Sequence, residues 1–340
     1  MFILDHKLHF YRVELFQLLA KKYSVTVVHR GPEIEGEFTF KQAIHTYSSI
    51  GPFEYISCLD LKNYNIVIYM QNIRLINVFT SLFFNTSRRK LLFWGIGTSS
   101  SKGLGVESLI KRVVRNIITL LSGGLALYSQ LPMKQYWLIN QKKITVVGNS
   151  LSSPYSFDSS KTEKEYILFL GSLNKRKGII ELLLAFSKSV KKHKHLKLLI
   201  VGEGPEYHNV INKISELGLV GSVEMLGAIT CAQEKAVLYS KAFFVISPLQ
   251  AGLGVVEAFS FGIPFVTSSN AITGGETVSI EHNQNGILFD DIGGLDDVIN
   301  SFFDGRVNYS EMGHNAYHLY LTQLTIEQYA NRFTRFIECE

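Results

Sequence analysis

Residues 243–267 constrain the fold more than any other part of the chain. The run Phe243 to Ser247 is short and apolar, as in a strand buried on both faces. Pro248 breaks it, a turn of small residues follows, and Gly252-Leu253-Gly254 opens a helix that carries Glu257 in its first turns. Phe261-Gly262-Ile263-Pro264 stops that helix, and residues 265–267 begin another strand. A helix start reached through a glycine turn offers unpaired backbone N–H groups and the positive end of the helix dipole, which suits a phosphate. A carboxylate one or two turns further on repels phosphate but accepts hydrogen bonds from sugar or ribose hydroxyls. The local chemistry therefore points to a nucleotide-linked ligand.

Two readings of this stretch follow from spacing alone. Gly252-x-Gly254-x-x-Glu257 is close to the dinucleotide fingerprint, but Glu replaces the third glycine and no acidic residue ends the next strand. The alternative is a tight strand-to-helix turn with a surface glutamate.

The rest of the chain alternates in the same way. Helical spacing over 10–20 is followed by a strand at 24–29. Strands are expected at 65–70 and 90–94 with a helix at 73–84 between them, then a helix at 106–121 and strands at 124–128 and 143–147. Such alternation predicts parallel sheets covered by helices. The first strand, near Phe2, reads as trimmed or very short. Residues 151–165, rich in serine and holding Pro154, form a linker. Beyond it come a strand at 166–170, a helix at 179–190, strands at 196–201 and 223–226, and helices after Asp290.

The ordered set Ser247-Pro248, Gly252-Leu253, Glu257-Ala258, Phe261-Gly262, Pro264, Gly274-Gly275-Glu276 and Asn285-Gly286 resembles the nucleotide-sugar half of the retaining family 4 glycosyltransferases. It is most similar to their bacterial surface-polysaccharide branch, which builds polymers such as O-antigen. The resemblance implies a GT-B fold, an α/β architecture of two Rossmann-like parallel-sheet domains facing across a cleft. It places an acceptor-binding domain at 1–150, a nucleotide-sugar domain at 151–322, and a C-terminal helix within 323–340 packing back on the first domain.

What it implies for the site is specific. Glu257 matches the glutamate that holds the ribose, and Lys177 matches a lysine that grips the donor diphosphate; these two are the catalytic candidates. Gly171, Ser172, Gly204, Gly227, Gly252, Leu253 and Glu276 complete the nucleotide-sugar candidates. His9, Tyr11 and Arg12 resemble the family's first loop and helix, Gly95 and Gly97 its Trp-Gly-His-Gly turn, and Asn149 the close of the first domain; these are acceptor or cleft candidates. The chain departs from the family at three places. Leu249 stands where the donor-sugar glutamate falls, Ser172 where an arginine does, and Ile96 where a histidine does.

The implied activity is transfer of a sugar from a nucleoside-diphosphate sugar to a hydroxyl of a lipid-linked or oligosaccharide acceptor, with retention at C1. With no Asp-x-Asp in the chain, a metal-independent mechanism and no cofactor are expected. A sugar-nucleotide 2-epimerase, or a catalytically weak binding subunit, are the rival readings.

At 340 residues and 46% hydrophobic, the chain has material for two domain cores. Cys58, Cys231 and Cys339 lack metal or redox spacing, which suits a reducing cytoplasm. The first residues lack an apolar signal core, and no apolar run reaches membrane-span length. A net charge of +5 fits phosphate or anionic lipid without requiring either, and nothing suggests nucleic acid. Lys111, Arg112 and Arg115 interleave with apolar residues in the 106–121 helix. With Arg88-Arg89-Lys90 nearby, it reads either as a helix lying on an anionic membrane or as an ordinary helix with its apolar face on the sheet.

Overall fold

The structure is a computed structural model that describes residues 1–83, 90–98, 108–159 and 161–338. It divides into two compact units, Met1–Ser152 with Ile326–Glu340, and Ser153–Thr325.

The first unit carries β1 (Phe2–Lys7), α1 (Phe10–Ala20), β2 (Thr26–Arg30), β3 (Lys41–Ile44), a hairpin of β4 (Tyr47–Ile50) and β5 (Phe53–Ile56), and β6 (Ile66–Met70). There follow α2 (Ile76–Phe83), β7 (Lys90–Gly95), α3 (Leu109–Leu121), β8 (Gly124–Leu127) and β9 (Ile144–Val146). Seven strands form one sheet in the order β3-β2-β1-β6-β7-β8-β9, all paired in parallel.

The expectation of a trimmed or very short first strand is corrected here. β1 is six residues long and pairs with β2 on one side and β6 on the other. Only Phe2, Ile3 and Leu4 are deeply buried, so the polar run Asp5-His6-Lys7 disguises the strand's outer half. Side chains alternate between the two faces as the pleat demands. Phe2, Leu4, Leu92 and Trp94 enter one core, while Ile3, Leu91 and Phe93 enter the other.

The second unit carries β10 (Tyr166–Leu170), α4 (Ile179–Lys192), β11 (Leu198–Val201), α5 (Tyr207–Glu216), β12 (Val223–Gly227), α6 (Ala232–Ser240) and β13 (Ala242–Ile246). It continues with β14 (Gln250–Ala251), α7 (Gly254–Phe259), β15 (Phe265–Ser268), β16 (Ile272–Thr273), β17 (Gly286–Phe289), α8 (Leu295–Phe303) and α9 (Tyr309–Leu319). Six strands form a parallel sheet in the order β12-β11-β10-β13-β15-β17. Ile167 and Phe169 face one core, Tyr166 and Leu168 the other, so helices must cover both faces. Part of the expected linker at 151–165 belongs to this unit. Ser153 bonds to Ser260 at 2.7 Å, and the Ser159 hydroxyl donates to the Phe261 carbonyl at 2.5 Å.

The last helix, α10 (Ile326–Glu338), returns to the first unit. Its Phe333 ring lies 5.6 Å from Phe2 and 5.2 Å from Trp94, in the same core as β1 and β7.

α3 corrects an expectation as well. The periodicity fits a helix with its apolar face inward, but the residues it buries are Arg115, Asn116, Ile118 and Thr119. Arg88 and Arg89 lie outside the described residues, as do positions 106–107 of the anticipated helix and Cys339.

Candidate active site

In a parallel sheet, ligands sit beyond the carboxyl ends of the strands, where the strand order reverses. In the second unit the chain runs outward from β10 to β11 and β12, then returns to β10's other side as β13. The reversal lies between β10 and β13. The segments leaving these strands, residues 171–178 and 247–254, hold five of the nine nucleotide-sugar candidates. They touch: the Leu249 amide donates to the Lys177 carbonyl at 3.4 Å, and the Leu249 side chain packs against Gly178.

Lys177 closes a single turn of 3-10 helix before α4. Its side chain is half-buried and runs beside Gly171. Among the described residues its ammonium forms no hydrogen bond or ion pair. Burial lowers its pKa below the ordinary lysine value, opposed by the charge of Glu276 and aided by that of Arg176. Ser172 is exposed and its hydroxyl accepts from Asn174 at 3.1 Å; it offers no cation in place of the missing arginine. Lys175 and Arg176 are exposed on the same turn.

Across the reversal, Gly252 is open, with nothing near the position of an added Cβ, and Leu253 sits at the N-cap of α7. Glu257 lies within α7, its carboxylate largely shielded from solvent. One oxygen pairs with Lys235 and the other accepts from the Tyr239 hydroxyl at 3.0 Å. Burial first, then Glu257, pushes the Tyr239 phenol well above its usual pKa, so it stays a donor. An ionised carboxylate has about four lone-pair sites. These two partners orient the group and leave acceptor capacity for further hydroxyls. Spacing in sequence gave no sign of Lys235 and Tyr239. They stand four apart on α6, and only the fold brings that helix face to Glu257.

The ends of β11 and β12 contribute close backbone. Gly204, at φ +155°, would drive a Cβ to 2.3 Å from the Leu173 carbonyl oxygen, so only glycine lets these two turns meet. Gly227, at φ +68°, closes β12 near Glu203. Glu276 begins a 3-10 turn and is buried, accepting from the Gly274 amide at 3.0 Å and Thr273 Oγ1 at 3.2 Å.

The first unit has a matching feature. Its strand order reverses between β1 and β6. There a cavity of about 750 Å³ is lined by Asp5, Gln71, Trp94, Gly95, Gly97 and Arg115, among others. Lys111 and Ile96 also reach it. A Cβ on Gly97 would lie 2.4 Å from Leu127 Cδ2, which fixes glycine there by packing. The remaining first-unit candidates divide. His9 stacks on Tyr11 at 5.4 Å, and burial, then its cationic neighbours, lowers its pKa, favouring neutral imidazole. Arg12 is buried inside the unit. It donates to the Tyr128 hydroxyl at 2.9 Å and lies over the Trp94 ring at 4.5 Å, which makes it a tie between α1, β7 and the end of β8. Asn149 follows β9 and is half-buried. Either reading of the 106–121 helix leaves Arg115 at its surface, yet the side chain turns inward and donates to the Gly97 carbonyl at 3.3 Å.

Comparison with known proteins fits this geometry. The family model described as "Glycosyl transferases group 1" matches residues 155–319, nearly the whole second unit. An exopolysaccharide phosphotransferase of Streptomyces coelicolor is 27% identical over 204 residues, covering 57% of this chain but only 21% of that protein. Thus the chain spans about one fifth of that relative, and less than half of the next curated ones. Among solved structures, Anabaena HepE in complex with UDP and glucose aligns over 100% of this chain and 99% of its own, with TM-score 0.71 at 16% identity. The lipopolysaccharide outer core galactosyltransferase WaaB in its apo form covers 99% and 98%, with TM-score 0.68 at 17% identity. Through its second unit, this chain resembles the group 1 glycosyl transferases, and its two parallel-sheet units follow the GT-B plan of the solved structures it aligns with.

Proposed function

We propose that the protein is a retaining glycosyltransferase moving a sugar from a nucleoside-diphosphate sugar to a hydroxyl of a saccharide acceptor. The observation that carries this reading is Lys177, a half-buried cation with no partner among the described residues, set at the strand-order reversal beside the open turn at Gly252. As the sugar leaves, negative charge grows on the diphosphate. A preorganised ammonium and the backbone N–H groups opening α7 stabilise that charge. Glu257, oriented by Lys235 and Tyr239, accepts from the ribose hydroxyls. Gly171, Gly204 and Gly227 let the nucleoside lie close to the strand ends. Lys177 supplies the positive charge that a divalent ion provides in other transferases, so no resident metal is needed.

The acceptor is assigned to the cavity of the first unit, beside Gly95 and Gly97. Its class is a lipid-linked saccharide of surface polysaccharide synthesis. That assignment is supported by the relative named for exopolysaccharide and the neighbour named for lipopolysaccharide. Retention at C1 follows from the family likeness.

The test is incubation with a panel of nucleotide sugars, with and without lipid-linked acceptors. A transferred sugar found only when acceptor is present supports the reading. Conversion of donor alone to an epimer would replace it with the epimerase reading. Saturable donor binding without any turnover would leave a binding subunit. Thermal shift reports binding directly, since ligand at 100 times its Kd adds about 2.7 kcal/mol.

A further inference from the structure

Helix α3 is packed the wrong way round for a helix on a soluble sheet. At 100° per residue, Leu109, Leu120, Val113, Ile117, Ile110 and Leu121 fall within about a third of the circumference. The opposite arc holds Arg115, Asn116, Ile118 and Thr119, and that is the arc the unit buries. Exposure is 66% at Leu109, 77% at Ile110, 42% at Ile117, 44% at Leu120 and 50% at Leu121, against 0% at Thr119. An ordinary surface helix shows the reverse.

Specific bonds lock this orientation. Asn116 Nδ2 donates to the Gln135 carbonyl at 2.8 Å, its Oδ1 accepts from the Leu138 amide at 3.2 Å, and Arg115 holds the Gly97 carbonyl. Rolling the helix to hide its apolar arc would break all three. The bonds to 135–138 also set Trp137 and Leu138 beside the helix, both exposed, with the Arg112 guanidinium 5.1 Å from the Trp137 ring.

Charge identifies what covers this face. Residues 108–157 contain six Lys or Arg and no Asp or Glu. Lys134, Lys142 and Lys143 are exposed in this stretch. An apolar helical face with an adjacent tryptophan and exposed lysines at 134, 142 and 143 suits a surface that lies in an anionic lipid headgroup layer. Scattered exposed apolar residues need no such explanation, but one continuous helical arc does.

We propose that α3 docks the first unit on an anionic membrane, its outward arc entering the headgroup boundary parallel to the surface. The helix is about 20 Å long at 1.5 Å per residue, so it lies on the bilayer without crossing it. The inward arc of the same helix lines the first-unit cavity through Arg115, with Lys111 at its edge. Docking therefore holds that cavity at the lipid surface, where a lipid-linked acceptor presents its sugar. This last step rests on the proposed acceptor class; the docking itself does not.

The experiment is co-sedimentation of the full chain with phosphatidylcholine vesicles, with and without phosphatidylglycerol. Wild type is expected to pellet with anionic vesicles and to be released by salt. The variant Ile110→Ser/Ile117→Ser/Leu121→Ser alters only exposed side chains. It should lose roughly tenfold or more in partitioning, at unchanged thermal unfolding and unchanged nucleotide affinity. Lys134→Glu/Lys142→Glu should weaken binding to anionic vesicles alone. Wild type remaining in the supernatant, or the triple variant pelleting like wild type, overturns the proposal. So does a wild-type dimer that the triple variant converts to monomer, since the face would then be a contact between copies. Nucleotide affinity, measured on the same samples, separates failure of docking from failure of the glycosyltransferase reading.

Discussion

Replacing Lys177 with methionine separates its proposed chemistry from any contribution to folding. Methionine keeps the length and apolar stem and removes only the charge. Removing one preorganised donor from a developing anionic charge costs about 2.7–4 kcal/mol. At 1.36 kcal/mol per decade, transfer should fall roughly 10²–10³-fold. Stability should move little, because the ammonium makes no bond to a described residue in the unliganded fold, and in sign it should rise. Burial lowers the folded pKa below the unfolded value of 10.5. Below the folded pKa both states are charged and the burial penalty is fully present. As pH climbs from that value to 10.5, only the unfolded state keeps its proton, and stability increases. Methionine removes both the penalty and this alkaline rise. Activity runs the opposite way: wild type should lose transfer at alkaline pH sooner than an ordinary lysine would allow, while Lys177→Arg should carry the limb higher. The assay is release of nucleoside diphosphate across pH, paired with thermal unfolding. Wild-type turnover in Lys177→Met, or a variant several degrees less stable at neutral pH, would refute the reasoning.

Glu257→Gln retains an acceptor for Tyr239 but removes the charge facing Lys235, at a cost of about 1–2 kcal/mol in stability. By calorimetry it should weaken nucleoside diphosphate roughly tenfold or more while leaving inorganic diphosphate unchanged; equal affinity for the nucleoside form would end the ribose assignment. Gly204→Ala combines backbone strain with a close approach to the Leu173 carbonyl. It should cost roughly 3 kcal/mol, about 6–12 °C in Tm for a unit of this size, read by calorimetric melting. Chelation by EDTA should leave transfer unaffected, and activity restored only by added divalent ion would show that Lys177 does not act alone.

Much of this arrangement is legible in the sequence where neighbours in the chain are neighbours in space. The turns at 171–178 and 247–254 can be read because proline, glycine and apolar runs act locally. β1 is hidden because three polar residues follow its apolar start. Which arc of α3 turns inward cannot be read from periodicity. A helical wheel gives two faces, and the choice depends on Gln135, Leu138 and Gly97, distant positions that bond to the polar arc. The same holds for Glu257. Its residue type and place on α7 are visible, whereas the α6 partners that orient it depend on packing between elements. Arg12 enters the candidates through the likeness to the family's first loop and helix, whereas the contacts by which it ties α1 to β7 and Tyr128 depend on packing between elements.

The return of α10 to the first unit sets an order for biogenesis. On the ribosome, residues 1–152 emerge first but lack Tyr329, Phe333 and Phe336, which seal the core around Phe2 and Trp94. The second unit, by contrast, is contiguous from 153 to 325 and can complete its core during synthesis. The half made later is therefore the half able to mature earlier, and the nascent amino-terminal portion must wait with an aromatic groove uncovered.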